Sequence, residues 1–256
     1  MGDDLATLLG LGVLSYALET MVHEGLGHGG MCLAQGHHVT VVTPLWMRCD
    51  VVSRWMVAAG PTANLAAALL SWLCLRSGFA AAVRLPLFFW LSFAFNGLVG
   101  AGYLGVGGAT TFGDWAYLLG GIRPEWLWRT TAVAVSAAAY WVILRVAAVR
   151  YAKLAGASVD GYVRRVLVAT AGAAAVAAAA QMYGQGSDIR GLVLPLACTL
   201  GIGASLWAVR DYVAASSSAA RVRVAFSPLV VILALAAVTV YVFVIGPGMR
   251  MSSSAM

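Results

Sequence analysis

The sequence predicts an all-α integral membrane protein with about seven transmembrane helices. Of its 256 residues, 61% are hydrophobic and only 10% are charged, with a mean hydropathy of +0.86. Soluble domains carry roughly 25% charged residues. Several apolar runs reach the length of about 20 residues that a bilayer span requires. The net charge of +6 is therefore read as loop arginine beside anionic membrane lipid, and a nucleic-acid partner is not expected.

The first span runs from about Leu5 to Cys32. Met1-Gly2-Asp3-Asp4 has no basic character, so this span is expected to stay in place and not be cleaved as a signal peptide. Its C-terminal end holds His23-Glu24-Gly25-Leu26-Gly27-His28, with Gly29 and Gly30 following. Four glycines make that end deformable and also permit close helix packing. A polar interruption from Gln35 to Arg54 follows. Its β-branched stretch His37 to Thr43 ends at Pro44 and reads either as a small β-hairpin returning near Cys49 to Ser53 or as a plain interfacial loop. As a hairpin, it offers an edge for an extended substrate. His37 and His38 are expected to face water.

Span two covers about Trp55 to Leu75. Gly60-Pro61 is expected to kink or open it, and Asn64 supplies an amide for an interhelical hydrogen bond. Span three covers about Leu85 to Val106. Glycines at 97, 100, 102, 105, 107 and 108 predict a broken segment lining a cavity. Asp114 follows, its plain reading being the N-cap of a short helix to Leu119. Spans four to seven cover about Trp126–Leu144, Val166–Tyr183, Leu192–Val209 and Leu229–Ile245. The linkers between them hold Asp160, Asp188 and Asp211, read as loop residues. Cys32, Cys49, Cys74 and Cys198 form no C-x-x-C pair, and Cys32 and Cys49 are read as bystander thiols in preference to a place near the site.

Seven spans place Arg76, Arg84, Arg145, Arg150, Lys153, Arg164, Arg165, Arg210, Arg221 and Arg223 on one side. Arg48, Arg54, Arg123, Arg129, Arg190 and Arg250 fall on the other. That distribution favours a cytoplasmic N-terminus in a plasma or cytoplasmic membrane.

Ionisable groups at membrane depth are costly, about 2.5–3.5 kcal/mol each for charged types, and usually mark a site. Histidines flanking a glutamate fit zinc hydrolysis, which needs three protein ligands and one open position. Bound zinc lowers the pKa of water from about 15.7 to roughly 7, and a carboxylate moves the proton. His23 and His28 supply two ligands and Glu24 the base. Asp114, following the glycine-rich segment, is the choice for the third over Asp3, Asp4 and Asp50. The spacing is unusual. On an ideal α-helix His23 and His28 lie about 140° apart, too wide for one metal, so the helix must be distorted between Glu24 and His28, as a π-bulge would do.

The order His23-Glu24…His28, then Gly60-Pro61-x-x-Asn64, then Gly113-Asp114 resembles the site-2 protease family of membrane-embedded zinc metallopeptidases. The resemblance covers residues 5–120 and implies a three-helix catalytic core. Residues 1–121 then form the protease-like unit and 122–256 the accessory helices. It implies Zn2+ bound by His23, His28 and Asp114, with Glu24 as catalytic base. Asn64 would bind substrate or stabilise the oxyanion, and the partner would be a membrane-protein substrate. Two features depart from the pattern: H-E-x-x-G-H replaces H-E-x-x-H, and Gly-Asp without Asn-Pro replaces Asp-Gly. The same H-E-x-x-G-H spacing is similar to that of dipeptidyl peptidase III, a soluble family in which both histidines bind zinc. Two other readings stay open: a proton- or ion-coupled transporter using Glu24 and His28, and an inactive protease-like protein that only binds.

Overall fold

The structure, a computed structural model, describes residues 3–83, 85–155, 159–185, 189–215 and 223–250. Six of its helices are long and apolar enough to cross a membrane, and the architecture is that of an all-α membrane protein. The first is one 30-residue helix, Leu5–Ala34, made of α1 (Leu5–Thr20), a π-helical stretch (Met21–Gly29) and α2 (Gly30–Ala34). Asp4 caps it by accepting from the Thr7 N–H at 2.8 Å. Strands β1 (Val39–Val42) and β2 (Met47–Cys49) follow. Then come α3 (Arg54–Arg76), the short α4 (Phe79–Ala82), α5 (Pro86–Thr110), the short α6 (Asp114–Leu119) and α7 (Glu125–Ala155). The rest is α8 (Val159–Gln185), α9 (Ile189–Ala208), α10 (Arg210–Ala215), α11 (Pro228–Val240) with a π-helical end (Tyr241–Ile245), and β3 (Met249–Arg250).

The bundle has two distinguishable ends. At the N-terminal end, Asp3 and Arg165 form a buried two-pronged ion pair, both contacts at 2.9 Å. The Ser227 N–H donates to Thr7 there, and Trp90, Tyr151 and Tyr162 pack edge to face. At the other end lie the hairpin, α6 and β3. Gly184 of α8 abuts the Gly246 carbonyl at that end, and Leu206 of α9 accepts from Tyr162 at the first. Among the described residues α9 thus lies along the bundle beside the six candidate spans. The apolar part of α9, Leu192–Ala208, is shorter than the other six.

Lipid tails give helices no hydrophobic reason to associate, so close packing must hold them. α1 and α8 meet backbone to backbone: a Cβ at Gly12 would collide with the Ala169 backbone, and one at Gly172 with that of Leu9.

Several expectations need correction. The glycine-rich third span is not broken, since α5 is continuous from Pro86 to Thr110. Its glycines make room for neighbours. A Cβ at Gly97 would press on Ile143, at Gly100 on Leu65, at Gly105 on Ser136 and at Gly108 on the Arg129 carbonyl. Helix α3 likewise continues through Pro61. The expected linker from Arg145 to Arg165 is mostly helix. Arg145 lies over the rings of Trp141 and Tyr212, and Arg150 over Trp72, so long basic side chains extend these helices past their apolar parts. Cys32 and Cys49 are not bystander thiols: they form a disulfide, Cα atoms 6.1 Å apart. β1 is not an edge strand, because the sheet order is β2-β1-β3. Its partners pair Val42 with both Met47 and Met249. Asp160 and Asp211 are exposed, Asp211 beside Arg210, while Asp188 and Arg84 lie outside the described residues.

Candidate metal centre

His23 and His28 both fall inside the π-helical stretch Met21–Gly29. In π winding the hydrogen bonds run i→i+5, so residues five apart share a face. The Gly30 N–H accordingly reaches the Gly25 carbonyl. The two rings come to 4.8 Å between centroids, almost perpendicular at 86°. The helix thus departs from α winding across the stretch where the spacing demanded it. Glycine allows this beside a close neighbour: a Cβ on Gly27 would lie 2.6 Å from the Gly60 Cα.

Each imidazole is fixed by its Nδ1. That of His23 donates to Asn64 Oδ1 at 2.5 Å, and that of His28 to the Met56 carbonyl at 2.8 Å. Both Nε2 atoms then face one carboxylate oxygen, Asp114 Oδ2, at 3.1 Å from His23 and 3.6 Å from His28. One ligand atom from each of the three residues lies within 4.8 Å of the others. Tetrahedral zinc with bonds of about 2.0–2.1 Å separates its ligands by about 3.3 Å. The observed separations straddle that value, so these residues fit a zinc ion. Ligating histidines almost always donate their other ring nitrogen to a carbonyl or carboxylate, and both do so here.

Asp114 is delivered by the turn after α5, where Thr111 and Gly113 adopt positive φ of 62° and 92°. Asp114 is not the N-cap of α6. Gly113 holds that position without a side-chain bond, and Asp114 is the first helical residue. Burial pushes its carboxyl up, but hydrogen bonds from His23 and His28 outweigh this and take it down to about 2. Glu24 is 5% exposed, with Oε2 buried and lacking a hydrogen-bond partner among the described residues. The Met47 N–H of β2 faces its carboxyl group. A cleft of about 50 Å³ runs over His23 and Glu24, between Pro44 and Leu45 on the hairpin and Leu194 and Pro195 on α9.

Of the predicted site residues, His23, His28 and Asp114 converge on one point, and His23 and Glu24 line this cleft. Asn64 sits behind them, fully buried. Its Oδ1 is engaged by His23, and its Nδ2 donates to the Glu19 carbonyl at 3.1 Å and to Asn96 Oδ1 at 3.0 Å. Asp50 belongs to the hairpin. The His38 N–H, above all, holds its carboxyl below the usual range, and His37 and His38 stay with it, away from the centre. The disulfide takes up Cys32 and Cys49, which with Asp50 would otherwise make a second cluster.

Sequence reasoning overlooked three neighbours. Glu19 lies one helical turn before His23, buried against Asn64 and Thr20. A carboxylate inside an apolar run was a readable signal for it. The Tyr103 ring lies tilted against that of His23, centroids 4.9 Å apart. Gly60, read as a helix breaker, leaves space for both imidazoles: a Cβ there would lie 2.5 Å from His28 Nε2 and 2.8 Å from His23 Nε2. Neither has a sequence signal, because each depends on what α3 and α5 meet. No family model, curated protein or solved structure matches the chain.

Proposed function

We propose that the chain is an intramembrane zinc metallopeptidase of the site-2 protease type, cutting membrane-spanning or membrane-proximal protein segments. One observation carries this reading: two imidazoles, each tied at Nδ1, turn their Nε2 atoms onto the Asp114 carboxylate at zinc-ligand separations. His23, His28 and Asp114 would hold the ion. Bound there, zinc acidifies water towards neutral pH and polarises a carbonyl. Glu24, with an oxygen uncommitted, takes the proton from the attacking water and returns it to the leaving amine. Asn64 acts as a positioning residue, orienting His23 from behind. No hydrogen bond joins Glu24 to His28 among the described residues, which favours hydrolysis over proton relay through that pair.

The cleft fits an extended peptide, with β2 as the edge nearest Glu24 and the Met47 N–H directed there. β-Strand addition on that edge would supply main-chain hydrogen bonds. Residues 1–121 contain every proposed site residue, and 122–256 are accessory to them, with α9 as a seventh span. The Cys32–Cys49 disulfide belongs to an oxidising compartment. We therefore take the hairpin end as the outer face and the N-terminus as cytoplasmic, a reading that the ten-to-six arginine and lysine distribution supports.

The test is metal content measured beside cleavage of a membrane-spanning peptide. Wild type is expected to hold about one zinc, and His23→Ala and His28→Ala close to none. Glu24→Gln should keep zinc and lose cleavage. Equal, near-zero zinc in all four proteins sinks the metal centre. Undiminished cleavage by Glu24→Gln removes that residue from its role.

A further inference from the structure

Beside the cleft lies a second space, about 280 Å³ in volume, between α5, α7 and α9. It shares Val99, Tyr103, Leu194 and Cys198 with the cleft that contains His23 and Glu24. It also touches Gly113, the residue before Asp114. Tyr103, in ring contact with His23, stands between the two. The chamber is lined almost wholly by apolar groups, and a hydrogen bond from Tyr140 to Ser205 at 2.9 Å links its α7 and α9 walls. For scale, an apolar cavity of about 150 Å³ binds benzene.

Glycine stands at two positions of its lining, the half-buried Gly102 on α5 and the exposed Gly201 on α9. A Cβ on Gly201 of α9 would meet nothing within 4 Å, and one on Gly102 of α5 would meet only Tyr140 Cε2, at 3.7 Å. Most glycines of α5 are pressed against a neighbour, as at positions 97, 100, 105, 107 and 108. Close packing therefore does not explain these two.

We propose that this chamber is the subsite for a bulky apolar side chain, of leucine, phenylalanine or tryptophan size, next to the bond that is cut, and that Gly102 and Gly201 set its width. This rests on the peptidase reading above. The alternative occupant, a lipid chain, would have no need of continuity with His23 and Glu24. The cleft itself is too narrow for a large side chain and suits only the main chain. The substrate backbone thus lies between the hairpin turn and Pro195, and one side chain passes Tyr103 into the chamber.

Two readouts test this. The first is cleavage of synthetic membrane-spanning peptides that differ at one residue flanking the mapped cut, carrying alanine or leucine. One methylene in an apolar pocket changes kcat/KM by about 10–200-fold, so the leucine peptide should lead by at least about tenfold. Gly201→Phe, or Gly102→Leu where the first variant folds poorly, should erase that lead. The second readout needs no catalysis. A peptide carrying a diazirine analogue of leucine at that position is irradiated with Glu24→Gln protein and the adducts are mapped. They should fall on residues 98–106 and 194–202 and disappear in the filled variants. Cleavage without size preference overturns the subsite and leaves the peptidase reading standing. Adducts in the chamber with no cleavage by wild type sink the peptidase and overturn the subsite with it, leaving the chamber a site that binds an apolar side chain without cutting. Adducts elsewhere, or unchanged by filling, overturn the subsite and leave the chamber to lipid.

Discussion

Gly60→Ala adds one methyl group where the structure has none to spare. The new Cβ would lie 2.5 Å from both Nε2 and Cε1 of His28 and 2.8 Å from His23 Nε2. Ordinary contact begins at 3.4 Å, so rings and methyl must separate by roughly 0.6–0.9 Å, while metal–ligand distances tolerate about ±0.2 Å. Helix α3 cannot retreat freely, because Ser53 caps it and the Met56 carbonyl holds His28. The imidazoles must therefore move. Losing a mere supporting hydrogen bond costs about 10–100-fold in metal affinity; displacing two ligands should cost at least about 100-fold. Zinc affinity is read by competition with a chromogenic chelator in detergent, with circular dichroism confirming helix content. Gly25→Ala is the control, since a Cβ there meets nothing within 4 Å. If Gly60→Ala binds zinc within about twofold of wild type, the imidazoles do not converge where the structure has them, and the metal assignment fails.

Asn64→Leu keeps bulk but removes the acceptor of His23 Nδ1–H, and should lower zinc affinity about 10–100-fold by the same chelator assay. Cys32→Ser opens a link between residues 17 apart, worth about 3 kcal/mol. The hairpin should become readily cut in limited proteolysis, and reductant should do the same to wild type. Arg165→Met removes the charge partner of the buried Asp3 carboxylate and should cost about 3–5 kcal/mol in thermal unfolding, with Asp3→Leu/Arg165→Met losing less than either single change.

The membrane class and most spans were legible because composition and run length follow directly from the bilayer's thickness. Glycine was not, because the same residue serves two opposite ends. At Gly97 and Gly100 it lets a continuous helix approach Ile143 and Leu65, and only the partner's position tells this from a break. The disulfide was hidden for a similar reason: Cys32 and Cys49 become neighbours only once the hairpin folds back. The extent of α7 was masked by arginines that lie over aromatic rings. The histidine spacing, by contrast, carried geometric information of its own. Two residues five apart share a face only if the winding changes, and Met21–Gly29 is wound that way.

The reach of the centre into the bundle follows from the direction of its amides. Asn96 Nδ2 donates to the Ser92 carbonyl at 3.0 Å, which turns its Oδ1 towards α3. Asn64 Nδ2 donates to that oxygen and to the Glu19 carbonyl, which turns its own Oδ1 towards α1. That oxygen can only accept, so His23 must carry a proton on Nδ1, which leaves Nε2 as the ring atom turned to Asp114. Three helices thus determine the tautomer of one imidazole through two amide orientations. An acid at position 64 would also accept, but it could not donate to Asn96 or to the Glu19 carbonyl and would bury a charge. Serine would fall short of at least one partner. An asparagine with both its atoms engaged is what this position requires, and it explains why the residue is fully buried behind the centre and does not open onto the cleft.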